Sequence, residues 1–171
     1  MVNSPSDSVF SLRFVSARFG VGAVEEIGYC ARGLGGKEVL LVTDKGVAKA
    51  GLIEHVKQPL EAQGIKTNVY ENVEPEPSYD SMQNAVDYAS DLNIDILVGV
   101  GGGSSIDTAK VVNLITTHKG SILDYVALPI GKGRKVPGPC KPLIAVPTTA
   151  GTGSEASPAA IFSLPSQALK L

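Results

Sequence analysis

Leu97–Lys110 reads LVGVGGGSSIDTAK, and Pro142–Glu155 reads PLIAVPTTAGTGSE. Each is a short apolar run that breaks into glycines and hydroxyl residues, and the first continues into a helical pattern. A buried strand that ends in glycines and opens a helix puts bare backbone N–H groups at the electropositive end of that helix, which suits a pyrophosphate.

Working outward, Ile94–Val100 (IDILVGV) is a central strand and Ser104 is expected to cap a helix reaching about His118. Upstream, Glu38–Thr43 (EVLLVT) is a near-continuous apolar run, the mark of a buried parallel strand. Val47–Gln63 has helical periodicity, with Pro59 expected to kink or divide it and Gly64 to close it. Lys66–Tyr70 is the next strand. Two prolines keep Glu71–Pro77 (ENVEPEP) out of a helix, and Ser78 caps a helix over Tyr79–Leu92. A helix near Ala23–Arg32 follows the Phe19–Gly22 turn, and Phe10–Val15 (FSLRFV) alternates like a short edge strand. Downstream, Ile122–Ala127 reads as irregular and Pro129–Pro139 as a Gly/Pro/Lys-rich surface loop. Leu143–Val146 reads as a short buried strand and Ala159–Phe162 as a last one. Alternating strands and helices at this spacing predict an α/β fold: a Rossmann-like parallel sheet flanked by helices on both faces. Residues 1–18 form an N-terminal extension with the edge strand, and residues 19–171 one dinucleotide-binding domain.

Composition narrows the partners. The 171 residues are 43% hydrophobic and 19% charged with a net charge of -2, the balance of a globular domain with a real core. No basic stripe invites nucleic acid. No apolar run approaches the roughly 20 residues that span a bilayer. The opening residues lack the apolar stretch of a secretory signal, so the expected compartment is the cytoplasm. Cys30 and Cys140 are too far apart in sequence for a thiol redox pair and read as two reduced thiols. His55 and His118 read as solvent-facing, and no spacing of His, Cys or acids suggests a metal site.

The residues with chemistry gather at strand ends. Gly101, Gly102, Gly103 and Ser104 follow a strand where open α/β sheets bind ligands. Asp107 and Lys110 share a helix face; they could reach substrate or cofactor and a phosphate, or pair with each other. Thr148, Thr149 and Thr152 belong to a second hydroxyl and glycine loop, and two such loops on neighbouring strand ends would converge on one crevice. Asp44 closes the EVLLVT strand, where an acid can bond an adenosine ribose or simply cap the next helix.

GVGGGSSIDTAK followed by KPLIAVPTTAGTGSEAS resembles the iron-containing (group III) alcohol dehydrogenases, whose signatures are GGGSxxDxAK and PTTxGTGSE. The resemblance runs from about Phe19 to Phe162, and the motif pair sets it apart from the related polyol dehydrogenases and dehydroquinate synthases. Leu123–Thr149 (LDYVALPIGKGRKVPGPCKPLIAVPTT) is most similar to the hydroxyacid–oxoacid transhydrogenase branch, whose members pass a hydride from 4-hydroxybutyrate to 2-oxoglutarate through a nicotinamide cofactor. By that resemblance Gly101–Ser104 hold the pyrophosphate of NAD(P). Thr148, Thr149 and Thr152 line the adenine and nicotinamide side, and Asp44 contacts the ribose in members that prefer NAD. Glu76 departs from the family, in which many members have Asn between the two prolines.

The resemblance also implies a second, all-helical domain that supplies an Asp and three His to a divalent metal, Fe or Zn. Those positions do not occur before Leu171, and Lys170 is a poor match for a lysine usual after GTGSE. The expectation is therefore a nucleotide-binding half with a small alcohol or hydroxyacid as substrate only in a longer protein, and without turnover on its own. A homo-oligomer is compatible with it, as is a mitochondrial location if the source is a eukaryotic transhydrogenase. The rival reading is a stand-alone nucleotide-binding or interaction module.

Overall fold

Leu40, Val42 and Leu97 point to one face of a sheet, and Val39, Leu41, Ile96, Val98 and Val100 to the other. Strands that are apolar on both sides need a layer of helices on each, and the chain supplies both. In the computed structural model, residues 15–164 are described, with the backbone of Leu169–Lys170.

Four parallel strands, β1 (Glu38–Val42), β2 (Lys66–Tyr70), β3 (Ile96–Gly101) and β4 (Leu143–Pro147), lie in the order β2-β1-β3-β4. Val39–Val42 pair with Ile96–Gly99, and Leu97–Gly101 with Leu143–Pro147. Helices α1 (Ile27–Gly33), α2 (Lys45–Lys49) and α3 (Leu52–Ala62) cover one face through Ile27, Val47, Val56 and Leu60. Helices α4 (Tyr79–Ser90) and α5 (Gly103–His118) cover the other through Met82, Val86, Ala109 and Val112. Ser78 caps α4 as expected, its Oγ accepting the Ser81 amide at 3.2 Å.

The structure corrects several expectations. The Val47–Gln63 helix is divided at Gly51, not at Pro59: Gly51 has φ +75°, a left-handed turn that ends α2 and starts α3, while Pro59 lies inside α3. Ile122–Ala127 is not irregular. A capping box builds the short helix α6 (Ile122–Tyr125), with Ser121 Oγ accepting the Leu123 amide and Asp124 Oδ2 accepting the Ser121 amide. β4 is half-buried rather than buried, because it is the edge of the sheet. Ala159–Phe162 is not a strand; β5 (Ser163–Leu164) follows it and pairs antiparallel with β6 (Leu169–Lys170). His118 is half-buried, and its Nε2 is buried without a hydrogen-bond partner. The expected strand at Phe10–Val15 lies outside the described residues except for Val15, as does the Lys170 side chain. Cys30 and Cys140 are free thiols, and burial pushes the Cys140 thiol above its ordinary value.

Close contact of β3 with α5 positions the site. A Cβ on Gly99 would stand 3.0 Å from Ile106 Cα and 3.3 Å from Ala109 Cβ, so the helix seats on the strand only because glycine is there. Gly99→Val is expected to cost about 1–3 kcal/mol by overpacking. Gly33→Ala, at an α1 position with nothing within 4 Å, should leave stability unchanged or raise it. Urea denaturation of the two variants checks the contrast.

Candidate functional site

β1 and β3 are neighbours, but the chain leaves them toward opposite sides of the sheet, to β2 and to β4. Loops that part in this way leave a crevice beyond the carboxyl ends of the strands. Asp44 and Gly101 form its two lips. Asp44 caps α2, its Oδ1 accepting the Gly46 and Val47 amides at 2.8 and 3.0 Å. Its Oδ2 faces the α5 side, where Ser105 Oγ lies 3.4 Å away. Gly101 has φ +145°, and a Cβ there would fall 2.5 Å from Ser105 Oγ and 3.3 Å from Asp44 Oδ2. Only glycine lets β3 turn into α5 beside that acid.

The cap of α5 is not Ser104, as the sequence suggested, but Gly102, whose extended backbone starts the helix two residues earlier than a Ser104 cap would. No side chain caps this end. The first-turn amides of α5 therefore face the crevice with the positive end of the helix dipole behind them. Ser104 is the second helical residue; its carbonyl accepts Thr108 Oγ1 at 2.8 Å and the residue lines the cleft.

The second loop does arrive at the same place. The Thr148 amide donates to the Gly101 carbonyl at 2.9 Å, one rung past the paired strands. A Cβ on Gly102 would stand 2.9 Å from Thr149 Oγ1, and one on Gly103 3.5 Å from Thr152 Cβ. Thr152 Oγ1 accepts the Ser154 amide and donates to Glu155 Oε2, each at 3.3 Å. Between the loops lies a cleft of about 300 Å³ lined by Gly103, Ser104, Asp107, Thr152, Glu76 and Phe162. Asp44, Gly101, Gly102, Thr148 and Thr149 do not line this cleft; they meet beside it at the ends of β1, β3 and β4. The missing Cβ at Gly102 lets Thr149 Oγ1 approach the uncapped end of α5.

Asp107 and Lys110 form an ion pair, Lys110 Nζ lying 2.8 Å from Asp107 Oδ1, and Asp107 also lines the cleft. Sequence reasoning did not assign Ser105, Ser154 or Ile161, although Ser154 stands in a quoted motif. Glu76, which departs from the family pattern, also lines the cleft. It is one of two described non-glycine residues at positive φ, at 49°. That left-handed backbone suits Asn better than Glu, a physical reason for the Asn that many family members carry there.

The chain is similar to known proteins in sequence and fold. The family model for iron-containing alcohol dehydrogenase matches residues 15–171. A hydroxyacid-oxoacid transhydrogenase, mitochondrial, from Caenorhabditis elegans is 42% identical over 169 residues, covering 98% of this chain and 36% of the relative. An NADH-dependent butanol dehydrogenase A from Thermotoga maritima superposes with a TM-score of 0.80 at 27% identity, covering 92% of this chain and 40% of that one. A sulfoacetaldehyde reductase from Bifidobacterium kashiwanohense in complex with NAD+ gives 0.79 at 27% identity, covering 94% and 42%. The chain thus spans a little over a third of the curated relative's length. It belongs to the iron-containing alcohol dehydrogenase family.

The strained backbone at Glu76 has a measurable consequence. Glu76→Asn is expected to stabilise the fold by up to about 1 kcal/mol, and thermal melting of the variant beside the parent chain checks it.

Proposed function

We propose that these 171 residues, in this family of oxidoreductases, form the NAD-binding part of a metal-dependent alcohol or hydroxyacid dehydrogenase of the hydroxyacid–oxoacid transhydrogenase kind. The observation that carries the reading is the meeting of two glycine and hydroxyl loops at the uncapped N-terminus of α5, beside an acid at the switch point of the sheet. The NADH dependence and bound NAD+ named for the two structural neighbours support the same cofactor here.

In this reading the amides of Gly102, Gly103 and Ser104 hold the pyrophosphate, where helix dipole and N–H donors act together. Thr148, Thr149 and Thr152 supply hydroxyls along the second wall. Asp44 keeps Oδ2 directed toward the crevice while Oδ1 caps α2, so it accepts from a ribose hydroxyl and repels a 2′-phosphate. Asp107 lines the cleft and also holds the second loop through Ser154 and Ile161. A nicotinamide cofactor held here would supply a hydride acceptor for an alcohol and a hydride donor for an oxoacid. The chain's own residues orient its ring against one wall and anchor its distal half.

Among the described residues no group of three or more His, Cys, Asp or Glu could hold a metal ion, so metal chemistry is assigned to none of them. Substrate selection and turnover of 4-hydroxybutyrate are assigned to the longer enzyme. No helix among the described residues is long and apolar enough to cross a membrane. Of the two compartments expected, the mitochondrial one has support in the name of the nematode relative.

Calorimetric titration tests the reading. The 171-residue chain should bind NAD, and NADP about tenfold more weakly because the Asp44 carboxylate opposes the extra phosphate. Gly102→Val should weaken NAD by about 100-fold, about 2.7 kcal/mol. Unchanged NAD affinity in that variant removes the pyrophosphate from this loop. With 4-hydroxybutyrate and NAD the chain alone should form no NADH.

A further inference from the structure

Resting on the dinucleotide reading, we infer that Asp107 and Lys110 are positioning residues that latch the outer wall of the cleft, residues 152–161, onto α5, and that Lys110 is not a cofactor ligand. The observation is a closed set of hydrogen bonds. Lys110 Nζ has three protons to give, and the structure uses three acceptors: Asp107 Oδ1 at 2.8 Å, Ala159 O at 2.6 Å and Ser154 Oγ at 3.3 Å. Asp107 Oδ1 also accepts Ser154 Oγ–H, and Oδ2 accepts the Ile161 amide at 3.0 Å. The two side chains are only 14% and 9% exposed. An ammonium with no proton left over is not a phosphate ligand, although it stands two turns from a helix N-terminus.

What the pair holds needs holding. Between β4 and β5 the chain has one three-residue 3-10 turn, Ser154–Ala156, and no ladder onto the sheet. Three points of this segment, Ser154, Ala159 and Ile161, bond to the two charged side chains. Its far end is fixed separately, by the Ser163 amide donating to Pro77 O at 2.9 Å. Thr152 and Gly153, which form the cleft wall opposite Gly103 and Ser104, precede the first latched residue directly. The width of the cleft is therefore set from within α5, one turn behind the amides that face the ligand. A largely buried charge pair suits this role, because removing one partner strands the other, whereas removing both does not.

The test uses the 171-residue chain with two readouts, amide hydrogen exchange without nucleotide and NADH binding by fluorescence. In Lys110→Met, exchange of amides 152–161 should rise about tenfold while β3 amides keep their rates. NADH affinity should fall about tenfold. In the double variant Asp107→Asn, Lys110→Met the lone charge is gone, and the carboxamide that replaces the Asp107 carboxylate can still accept from the Ile161 amide and donate to Ser154 Oγ. Affinity should return to within about threefold of the parent. Should Lys110→Met fail to fold, Ser154→Ala loosens the same wall without changing any charge and gives the same exchange reading. Unchanged wall exchange overturns the latch. Equal weakness of the single and double variants also overturns it, because the lysine would then be a ligand. If the parent chain binds no NADH, the functional reading fails, and the exchange result still decides the latch.

Discussion

The hydrogen bond from the Thr148 amide to the Gly101 carbonyl, 2.9 Å long, is the contact on which the site depends. It extends the β3–β4 ladder one residue past the strands, at the point where both chains stop being strands. Gly101 turns toward α5 and Thr148 toward the second wall, so two loops far apart in sequence leave the sheet from a shared rung. Everything that follows, the uncapped helix end, the threonine loop and the acid at the switch point, is placed relative to that rung. Glycine at 101 is part of the constraint, because its left-handed φ and the nearby Ser105 hydroxyl leave no room for a side chain.

Two electrostatic solutions sit side by side in this cleft. The helix N-terminus is left without a side-chain cap, so its donors and dipole remain available to an anion. The one lysine in the early turns of α5 is consumed by the protein itself, so it adds no free charge to the cleft. Specific contact on an otherwise acidic chain is thus assigned to neutral amides and hydroxyls, with Asp44 as a negative element at one edge. In the proposed reading, such a site favours a ligand with one pyrophosphate over one with additional phosphates.

The sheet was legible from the residues because its central strands are apolar on both faces and end in glycine or Asp, which mark the edge where ligands bind. The convergence of the two loops was legible for the same reason: parallel strands that are neighbours end on one side. Less visible was anything set by a competition between local signals. Pro59 looks like a break, yet Gly51 breaks the helix, since a left-handed residue ends a helix outright whereas proline costs one internal hydrogen bond. Ser104 has the chemistry of a cap, but the extended backbone of Gly102 starts α5 earlier. The Ser121–Asp124 spacing carried a capping-box signal that the surrounding loop residues obscured. The bonds from Asp107 to Ser154 and Ile161 join residues some fifty positions apart and had no local signature, although the i,i+3 pairing with Lys110 did.

The most direct measurement is the change in backbone amide resonances of the 171-residue chain as NAD is added. The account predicts the largest shifts at Gly102–Ser104 and Thr148–Thr152, with smaller ones near Asp44 and none at the opposite ends of β1 and β3. Shifts centred away from the carboxyl edge of the sheet, or none at saturating NAD, would contradict the account.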